Sequence, residues 1–408
     1  MNGRPLEGIR VIEVAQYGFV PSAGVVLADW GAEVIKIEDP RELEPTRVVS
    51  VWGLDPARHN GFSAMWEMIN RGKKSVGLDL GTDAGREALY RLVESADVFT
   101  TNFRGPTRQK LKVDAEHIQA INPRIVYGRG TGFGPRGPQA DLGGFDVLGY
   151  WCRNGAAVSA LPAGQTGSIP QPGPAFGDVQ SGAFLAGGIA AALYRALKTG
   201  KGSVVDASLL SAGLWANQIQ IAGADLEGWD MLPPVDRTRP QNPLQNVYMT
   251  SDGRSVSLTM LVSDRYWAGF CRVIGRPELE TDARFSTAKA RSENTEVLTR
   301  ELDAVFAQRT LEAWKPLLDE MGGQWSWLST PGEAAVDPQA EANSMIQRLR
   351  YDDSDVELAL VMSPAQIDGC PPEPQRAPGH GEHTESVLLD LGYDWPKLAE
   401  LKEIGAIL

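Results

Sequence analysis

Short apolar runs alternate with amphipathic stretches over the first half of the chain. The runs predict β-strands, and they lie at residues 9–14, 33–38, 75–80, 98–101, 125–127 and 204–208. Residues 21–30 and 83–94 carry apolar side chains at helical spacing and predict helices between these strands. Because strands that alternate with helices form parallel βαβ units, residues 1–215 predict an open α/β domain.

Residues 179–197 predict a helix that is unusually rich in glycine and alanine. This helix follows Gly177 and Asp178 directly, and Lys198 and Gly200 are typical of a helix end. Small side chains allow two backbones to approach closely. We therefore expect this helix to pack backbone-close against its neighbours.

The glycines of residues 128–138 (GRGTGFGPRGP) predict a loop. The spacing of Gly130, Gly132 and Gly134 is similar to part of a dinucleotide-binding fingerprint, but Pro135 follows and no helix is predicted there. Since that fingerprint needs a helix N-terminus at this point, we exclude this interpretation.

The second half of the chain has a different pattern. Four prolines mark a boundary, and they are Pro233, Pro234, Pro240 and Pro243. Residues 247–260 predict a β-hairpin around Asp252-Gly253. Helices are predicted at residues 266–274 and 296–307. We interpret residues 230–330 as a smaller α+β domain and residues 331–408 as a C-terminal segment.

Composition and charge narrow the class of protein. The 408 residues include 39 Lys and Arg against 52 Asp and Glu, a formal net charge of −13. Such a balance argues against nucleic acid or an anionic membrane as the main partner, although a local basic patch would still bind a small phosphorylated ligand. The three cysteines are far apart, which indicates a reducing compartment. With neither a membrane-spanning apolar run nor a signal peptide visible, we expect a cytoplasmic protein.

Histidine is scarce, and the four are His59, His117, His380 and His383. His380 and His383 are three residues apart, but no third metal ligand lies near them in sequence. No GxSxG sequence supports a Ser-His-Asp triad. We interpret all four histidines as structural and predict no metal site.

Asp178, at the predicted start of the Gly/Ala-rich helix, has two interpretations. It is either an N-cap that accepts hydrogen bonds from free N–H groups or an available nucleophile. In both cases the helix dipole and these hydrogen bonds would favour the ionised form. The neighbouring glycines leave space for a thioester carbonyl, and N–H groups of the same turn would stabilise an oxyanion.

Two basic clusters contrast with the acidic total charge. Residues 70–75 (NRGKKS) and residues 102–110 (NFRGPTRQK) each contain three basic side chains. Either cluster is a solvated surface turn or a phosphate site. The second cluster follows a predicted strand end, which is where α/β sheets place their ligands.

Short segments along the whole chain carry a further signal. They are PLEGIRVIE (5–13), LADWGAEVIKIE (27–38), NRGKKSV (70–76), NFR (102–104), NPRIVY (122–127), GFG (132–134), GD (177–178), GEHT (381–384) and LGY (391–393). In number and order these segments resemble the class III CoA-transferase family, also called the CaiB/BaiF family.

The resemblance implies a Rossmann-like large domain, a smaller α+β domain and an interlaced homodimer in which residues 331–408 return to the large domain. It implies that Asp178 is the catalytic aspartate. It also implies which residues contact coenzyme A. The backbone around Leu78 and Leu80 would contact the adenine. The pantetheine or phosphates would be contacted by Asn102, Phe103, Arg104 and Lys110, and Asp146 would be an acidic helper beside the thiol. The implied partners are an acyl-CoA and a free carboxylic acid, with no cofactor beyond coenzyme A itself.

Several positions depart from the formyl-CoA transferase pattern within that family. Gly18 stands in place of a glutamine, Asp39 in place of an arginine that contacts coenzyme A, and Gly81 in place of a lysine. The glycine-rich loop that covers oxalate in that subfamily is not seen. We therefore do not expect formate or oxalate as substrates.

The family also contains α-methylacyl-CoA racemases, in which the histidine of a Gly-His-Asp motif acts as a base. Here the motif reads Gly144-Phe145-Asp146, and phenylalanine cannot carry a proton. We therefore expect CoA transfer, in which Asp178 forms a mixed anhydride and then an aspartyl-CoA thioester. A racemase-type isomerase and a non-catalytic acyl-CoA-binding relative are the alternatives. Trp325 and Trp327 of the smaller domain either line an acyl pocket or fill the core of the dimer.

Overall fold

The structure is a computed structural model that describes residues 3–352 and 354–408. Its strands are β1 (Arg10–Val14), β2 (Glu33–Glu38), β3 (Lys74–Gly77), β4 (Val98–Thr101), β5 (Val126–Thr131), β6 (Ser203–Ser208), β7 (Gln245–Met249), β8 (Ser255–Thr259), β9 (Trp325–Trp327), β10 (Ile346–Tyr351) and β11 (Val356–Val361). Its helices are α1 (Phe19–Asp29), α2 (Ala64–Asn70), α3 (Asp83–Glu94), α4 (Gly105–Leu111), α5 (Ala115–Ile121), α6 (Ala156–Ser159), α7 (Phe176–Thr199), α8 (Leu209–Ala216), α9 (Gln218–Glu227), α10 (Ser263–Val273), α11 (Glu278–Thr281), α12 (Ala288–Glu293), α13 (Thr295–Phe306), α14 (Leu311–Met321), α15 (Pro331–Ala334), α16 (Pro338–Ala342), α17 (Thr384–Asp390) and α18 (Trp395–Glu403).

Six parallel strands form the main sheet, in the order β3-β2-β1-β4-β5-β6. This is the order of a doubly wound Rossmann-type sheet, so the predicted α/β class is confirmed. The order reverses between β1 and β4. The connections that follow these two strands lead to helices on opposite faces of the sheet, which leaves a crevice at the carboxyl ends of the strands.

Both faces of this sheet are buried, as the apolar strand sequences require. Side chains of a strand alternate between its two faces. In β1, Ile12 and Val14 belong to one core and Val11 belongs to the other. The first core also contains side chains of α3, α5, α17 and α18, and the second contains side chains of α1, α7 and α8.

Helix α7 packs closely on α1, which confirms the prediction from its glycines. A β-carbon at Gly182 would lie 2.7 Å from the β-carbon of Ser22 and 2.8 Å from the carbonyl oxygen of Phe19. A larger residue has no room there, because a β-carbon never approaches other heavy atoms so closely without displacing them. The start of α7 is thereby fixed relative to the loop that follows β1.

Two predicted elements differ from the structure. Residues 128–131 continue β5 rather than starting a loop, since they pair with residues 205–208 of β6. Their glycines mark a close approach of neighbouring elements, because a β-carbon at Gly128 would lie 2.8 Å from Ile189. Strand β3 ends at Gly77 instead of reaching residue 80, and the next residue, Leu78, forms a bridge with Ile407.

The chain divides into two compact units. The first contains the described residues of 1–157, 170–228 and 337–408, and the second contains Val158–Ile169 and Trp229–Val336. The second unit has a three-stranded antiparallel sheet, β7-β8-β9, whose first two strands are the predicted hairpin. Trp325 and Trp327 lie on β9 and pack against the core of that unit.

The C-terminal segment of the first unit packs on strand β3. The His383 N–H donates to the Ser75 carbonyl (2.8 Å), and the Gly77 N–H donates to the Thr384 hydroxyl (2.9 Å). The last residue, Leu408, lies against Gly77. Among the described residues, no helix has the combination of length and apolar character that crossing a bilayer requires.

Candidate functional site

The loops after β1 and β4 meet where the strand order reverses, and Asn102 joins them. Its Oδ1 accepts a hydrogen bond from the Gln16 N–H (3.1 Å), and its Nδ2 donates to the Gln16 carbonyl (2.6 Å). Asn102 also lines a cavity of about 550 Å³ in this crevice, together with Phe103 and Arg104. Asn102 therefore fixes the loop after β1 while facing the cavity.

Asp178 reaches the same cavity from the first turn of α7. Its side chain is buried, with 9% of the residue exposed. A β-carbon at Gly18 would collide with the Asp178 carboxylate, so this carboxylate rests directly against the loop after β1. Within the described part of the chain, no group donates a hydrogen bond to it.

Burial and, second, the negative charge of Asp146 raise the pKa of Asp178 to about 7. This direction is opposite to the prediction from the helix N-terminus. The N-cap interpretation is also wrong, because Ala175 is the N-cap, in a left-handed conformation (φ 57°), and Asp178 is the third residue of the helix. Without N–H partners, desolvation outweighs the helix dipole at this carboxylate.

Asp146 holds the start of α7 in place. Its carboxylate accepts hydrogen bonds from the Gln171 amide (2.7 Å), the Val147 N–H (2.8 Å) and the Gly177 N–H (3.3 Å). It is buried and is not part of the cavity wall. Its implied role beside the thiol stays a prediction, and Gln171, which binds it, had no signal in the sequence.

A second cavity, of about 450 Å³, adjoins the first. Leu78, Leu80 and Lys110 line the second cavity. Gln16, Phe103 and Leu111 line both. The residues that the family resemblance implies at coenzyme A thus lie on two adjoining cavities of the first unit, with the exception of Asp146.

The sequence did not single out two of the arginines that line these cavities. Arg41 lines the second cavity and forms ion pairs with Asp39 (3.1 Å) and Asp79 (3.2 Å). It lies two residues after Asp39, which stands where the resemblance expects an arginine. Arg108 lines the first cavity and was available as a signal, because it belongs to the basic cluster of residues 102–110.

In the other basic cluster, residues 70–75, two of the three cations are buried. Arg71 is buried and pairs with Asp29 (2.8 Å). The Lys73 ammonium is fully buried and binds both carboxylate oxygens of Glu13 at 2.9 Å. Burial lowers the pKa of Lys73 to about 8. The surface-turn prediction is therefore wrong for Arg71 and Lys73, whereas Lys74 is partly exposed and pairs with Glu33. The phosphate-site alternative stays a prediction.

The histidines take no part in the site. His117 contacts Asp114 on the exposed side of α5 (2.9 Å), and the His380 ring contacts the Asp39 carbonyl (2.8 Å). None of the residues that line the first cavity is a histidine. Over residues 3–352 and 354–408, no group of three or more His, Cys, Asp or Glu residues is arranged to hold a metal ion.

Comparison with known proteins shows what the whole chain is similar to. Residues 6–384 match the sequence profile of CoA-transferase family III. The chain is 32% identical over 400 residues to the (R)-2-hydroxy-4-methylpentanoate CoA-transferase of Clostridioides difficile, with 98% of each protein covered. It is 29% identical over 407 residues to the cinnamoyl-CoA:phenyllactate CoA-transferase of Clostridium sporogenes, covering 98% of this chain and 97% of that protein. The crystal structure of a CaiB/BaiF family protein from Brucella suis superposes with a TM-score of 0.81 at 28% identity, covering 96% of this chain and 100% of the other.

Proposed function

Since the chain belongs to CoA-transferase family III, we propose that this enzyme moves coenzyme A from an acyl-CoA to a free carboxylate through covalent intermediates on Asp178. The placement of Asp178 carries the proposal. It is a buried carboxylate without hydrogen-bond donors among the described residues, and it faces the cavity at the switch point of the sheet. Desolvation makes such a carboxylate more basic, and hence a stronger nucleophile once it is ionised.

The exchange takes four steps, and each conserves an activated acyl group. Asp178 attacks the thioester carbonyl of the donor, which forms a mixed anhydride and releases the CoA thiolate. The thiolate attacks the aspartyl carbonyl, which forms the aspartyl-CoA thioester and releases the donor carboxylate. The acceptor carboxylate attacks that thioester, which forms a second mixed anhydride with Asp178 and releases the thiolate again. The thiolate finally attacks the acceptor acyl carbonyl, which yields the new acyl-CoA and regenerates Asp178.

Trapping of the aspartyl thioester tests this mechanism. We expect that incubation with a donor acyl-CoA in the absence of acceptor, followed by hydroxylamine, converts Asp178 to a hydroxamate that peptide mass spectrometry detects. Asp178→Asn should give no hydroxamate and no transfer, and it should still bind coenzyme A. Near-native turnover by Asp178→Asn would refute the assignment.

The two alternative functions make different predictions in the same assay. A racemase exchanges the α-proton of its acyl-CoA with deuterium from the solvent, whereas CoA transfer leaves that proton in place. Phe145 lines the cavity at the position of the racemase histidine, so a second base is missing there. A non-catalytic relative would bind acyl-CoA and release no product. A panel of acyl-CoA donors and free acids separates the three outcomes.

We also propose that the enzyme is a homodimer. In the first unit, α7, α8 and α9 expose a broad set of apolar side chains, and Ile219 and Leu226 are exposed by 78% and 83%. A large apolar surface of this kind is typical of a face that another protein covers. The interlaced arrangement that the family resemblance implies remains part of this proposal.

A further inference from the structure

Two aromatic side chains are exposed in the wall of the cavity that contains Asp178. Tyr17 is 37% exposed and Phe145 is 57% exposed, and both line this cavity. Their rings meet edge to face, with centroids 5.3 Å apart and an interplanar angle of 85°. Aromatic rings that face the solvent of a concave site, rather than a core, are typical of ligand contact surfaces.

The Tyr17 ring is held in this place by its backbone. Tyr17 has a φ of 60°, a left-handed conformation that bulky residues rarely adopt. Its N–H donates to Glu44 Oε1 (2.7 Å), and the other carboxylate oxygen of Glu44 accepts from the Thr46 N–H (3.0 Å). Since a strained conformation persists only where its surroundings enforce it, the position of this ring is built into the fold.

Both rings line the cavity of Asp178, and their sequence neighbours contact the first turn of α7. Tyr17 precedes Gly18, which lies against the Asp178 carboxylate. Phe145 precedes Asp146, which binds the Gly177 N–H at the start of α7. An acyl group bound to Asp178 therefore has both rings in the wall of its own cavity.

The charged part of the cavity wall lies on a different segment. Its arginines, Arg104 and Arg108, belong to residues 103–111, which comprise α4 and the two residues before it. Phe103 and Leu111 of the same segment also line the second cavity, at which the family resemblance places coenzyme A. The basic segment thus continues toward the coenzyme, whereas Tyr17 and Phe145 remain for the acyl chain.

We propose that Tyr17 and Phe145 form the acyl-chain subsite and give the enzyme a preference for acids that end in an aryl or branched alkyl group. This inference rests on the proposed function. An aryl or branched chain buries apolar surface against the rings, which acetate is too small to do. A dicarboxylate would bring a second charge against the two rings, neither of which is a charged partner for it.

Acceptor selectivity tests the inference. We measure kcat/KM for four acceptors with one common acyl-CoA donor. Two ratios are compared, namely 3-phenylpropanoate to acetate and 4-methylpentanoate to acetate, and succinate is included as the dicarboxylate. The variants are Phe145→Ala, which removes one ring, and Tyr17→Gly, which removes the other and tolerates φ 60°. Phe145→Tyr retains the ring. Trp395→Ala removes a ring that is 59% exposed on α18 and serves as the control.

We expect the native enzyme to favour the two apolar acids, and each ring deletion to lower both ratios about three- to tenfold. Phe145→Tyr and Trp395→Ala should keep the native ratios. The inference is overturned if succinate is the best acceptor, or if both ring deletions leave the ratios unchanged. The loss of selectivity distinguishes a subsite from a structural role, which would lower all four activities equally. If the native enzyme transfers to no acid and traps no aspartyl intermediate, the proposed function itself fails.

Discussion

In the proposed mechanism Asp178 must be ionised to attack a thioester, yet burial favours its neutral form. Its pKa of about 7 predicts that kcat/KM falls as the pH drops below neutrality, because the protonated carboxyl is not a nucleophile. Asp146→Asn removes the second cause of the raised pKa. We therefore expect the acidic limb of the kcat/KM profile to move to lower pH in that variant, but only part of the way to 3.8, since burial is the larger cause.

The acidic limb is measured from initial rates between pH 5 and 9 with a saturating acceptor. Gln171→Leu provides a comparison, since it removes a hydrogen bond to Asp146 and leaves the charge of Asp146 in place. A limb that stays in the same place in Asp146→Asn would show that the two carboxylates do not interact.

The same burial predicts that Asp178 weakens the fold. The folded state holds the Asp178 proton up to a pH of about 7, and the unfolded chain loses it near 3.8. The destabilisation is therefore absent below pH 3.8, grows as the pH rises, and is complete above about pH 7, with an upper limit of about 4 kcal/mol. Asp178→Asn, which is neutral at every pH, should be more stable than the native enzyme at pH 8 and close to it at pH 4.

Urea unfolding at these two pH values measures the difference in the free energy of unfolding. Asp319→Asn, which replaces an exposed aspartate on α14, is the control and should change little at either pH. Equal stability of Asp178→Asn and the native enzyme at pH 8 would contradict a raised pKa.

Among the secondary-structure elements, the contact between α1 and α7 positions the starts of these two helices at the site. Gly182 lies at this contact, and a β-carbon there would press on Ser22 and on the backbone of Phe19. Gly182→Ala should therefore destabilise the enzyme by about 1–3 kcal/mol, and it should lower kcat because α1 and α7 carry Gly18 and Asp178 at their starts.

Gly187→Ala is the matched control on the same helix. A β-carbon at Gly187 meets no atom within 4 Å, so alanine fits there. Because alanine favours helix by about 1 kcal/mol over glycine, this variant should be slightly more stable and equally active. Thermal unfolding and steady-state rates compare the two variants. If the two variants had the same thermal stability and the same rates, α1 and α7 would tolerate a wider separation at Gly182.

For the whole molecule, the exposed apolar face of α7–α9 predicts self-association. Size-exclusion chromatography with light scattering should give about twice the chain mass of 44.2 kDa. The double variant Ile219→Glu, Leu226→Glu should shift the enzyme toward monomer, because it places two charges on that face. Val336→Glu adds a charge at an exposed apolar position of the second unit and is the control. A native mass of 44.2 kDa would contradict the dimer.

Local patterns in the sequence predicted the six strands of the main sheet and three helices of the first unit, α1, α3 and α7. Apolar runs and helical spacing are properties of neighbouring residues, so β1, β2, β4 and helix α3 lie where the pattern placed them. The segments that resemble the family pointed to Asp178 and Asn102, which the structure brings to one cavity. Glycine misled the prediction at residues 128–131, because a glycine needed for close packing inside a sheet looks the same in sequence as a glycine in a loop.

The amino-acid sequence by itself determined the six strands of the main sheet, the α/β class and the family, because these depend on residues that are close together in the chain. Only the tertiary structure decided that the pKa of Asp178 is raised, that Arg71 and Lys73 are used in buried ion pairs, and that Tyr17 meets Phe145. Desolvation and contact energies depend on which distant residues come together. No local pattern contains that information until the sheet has brought its loops to one edge.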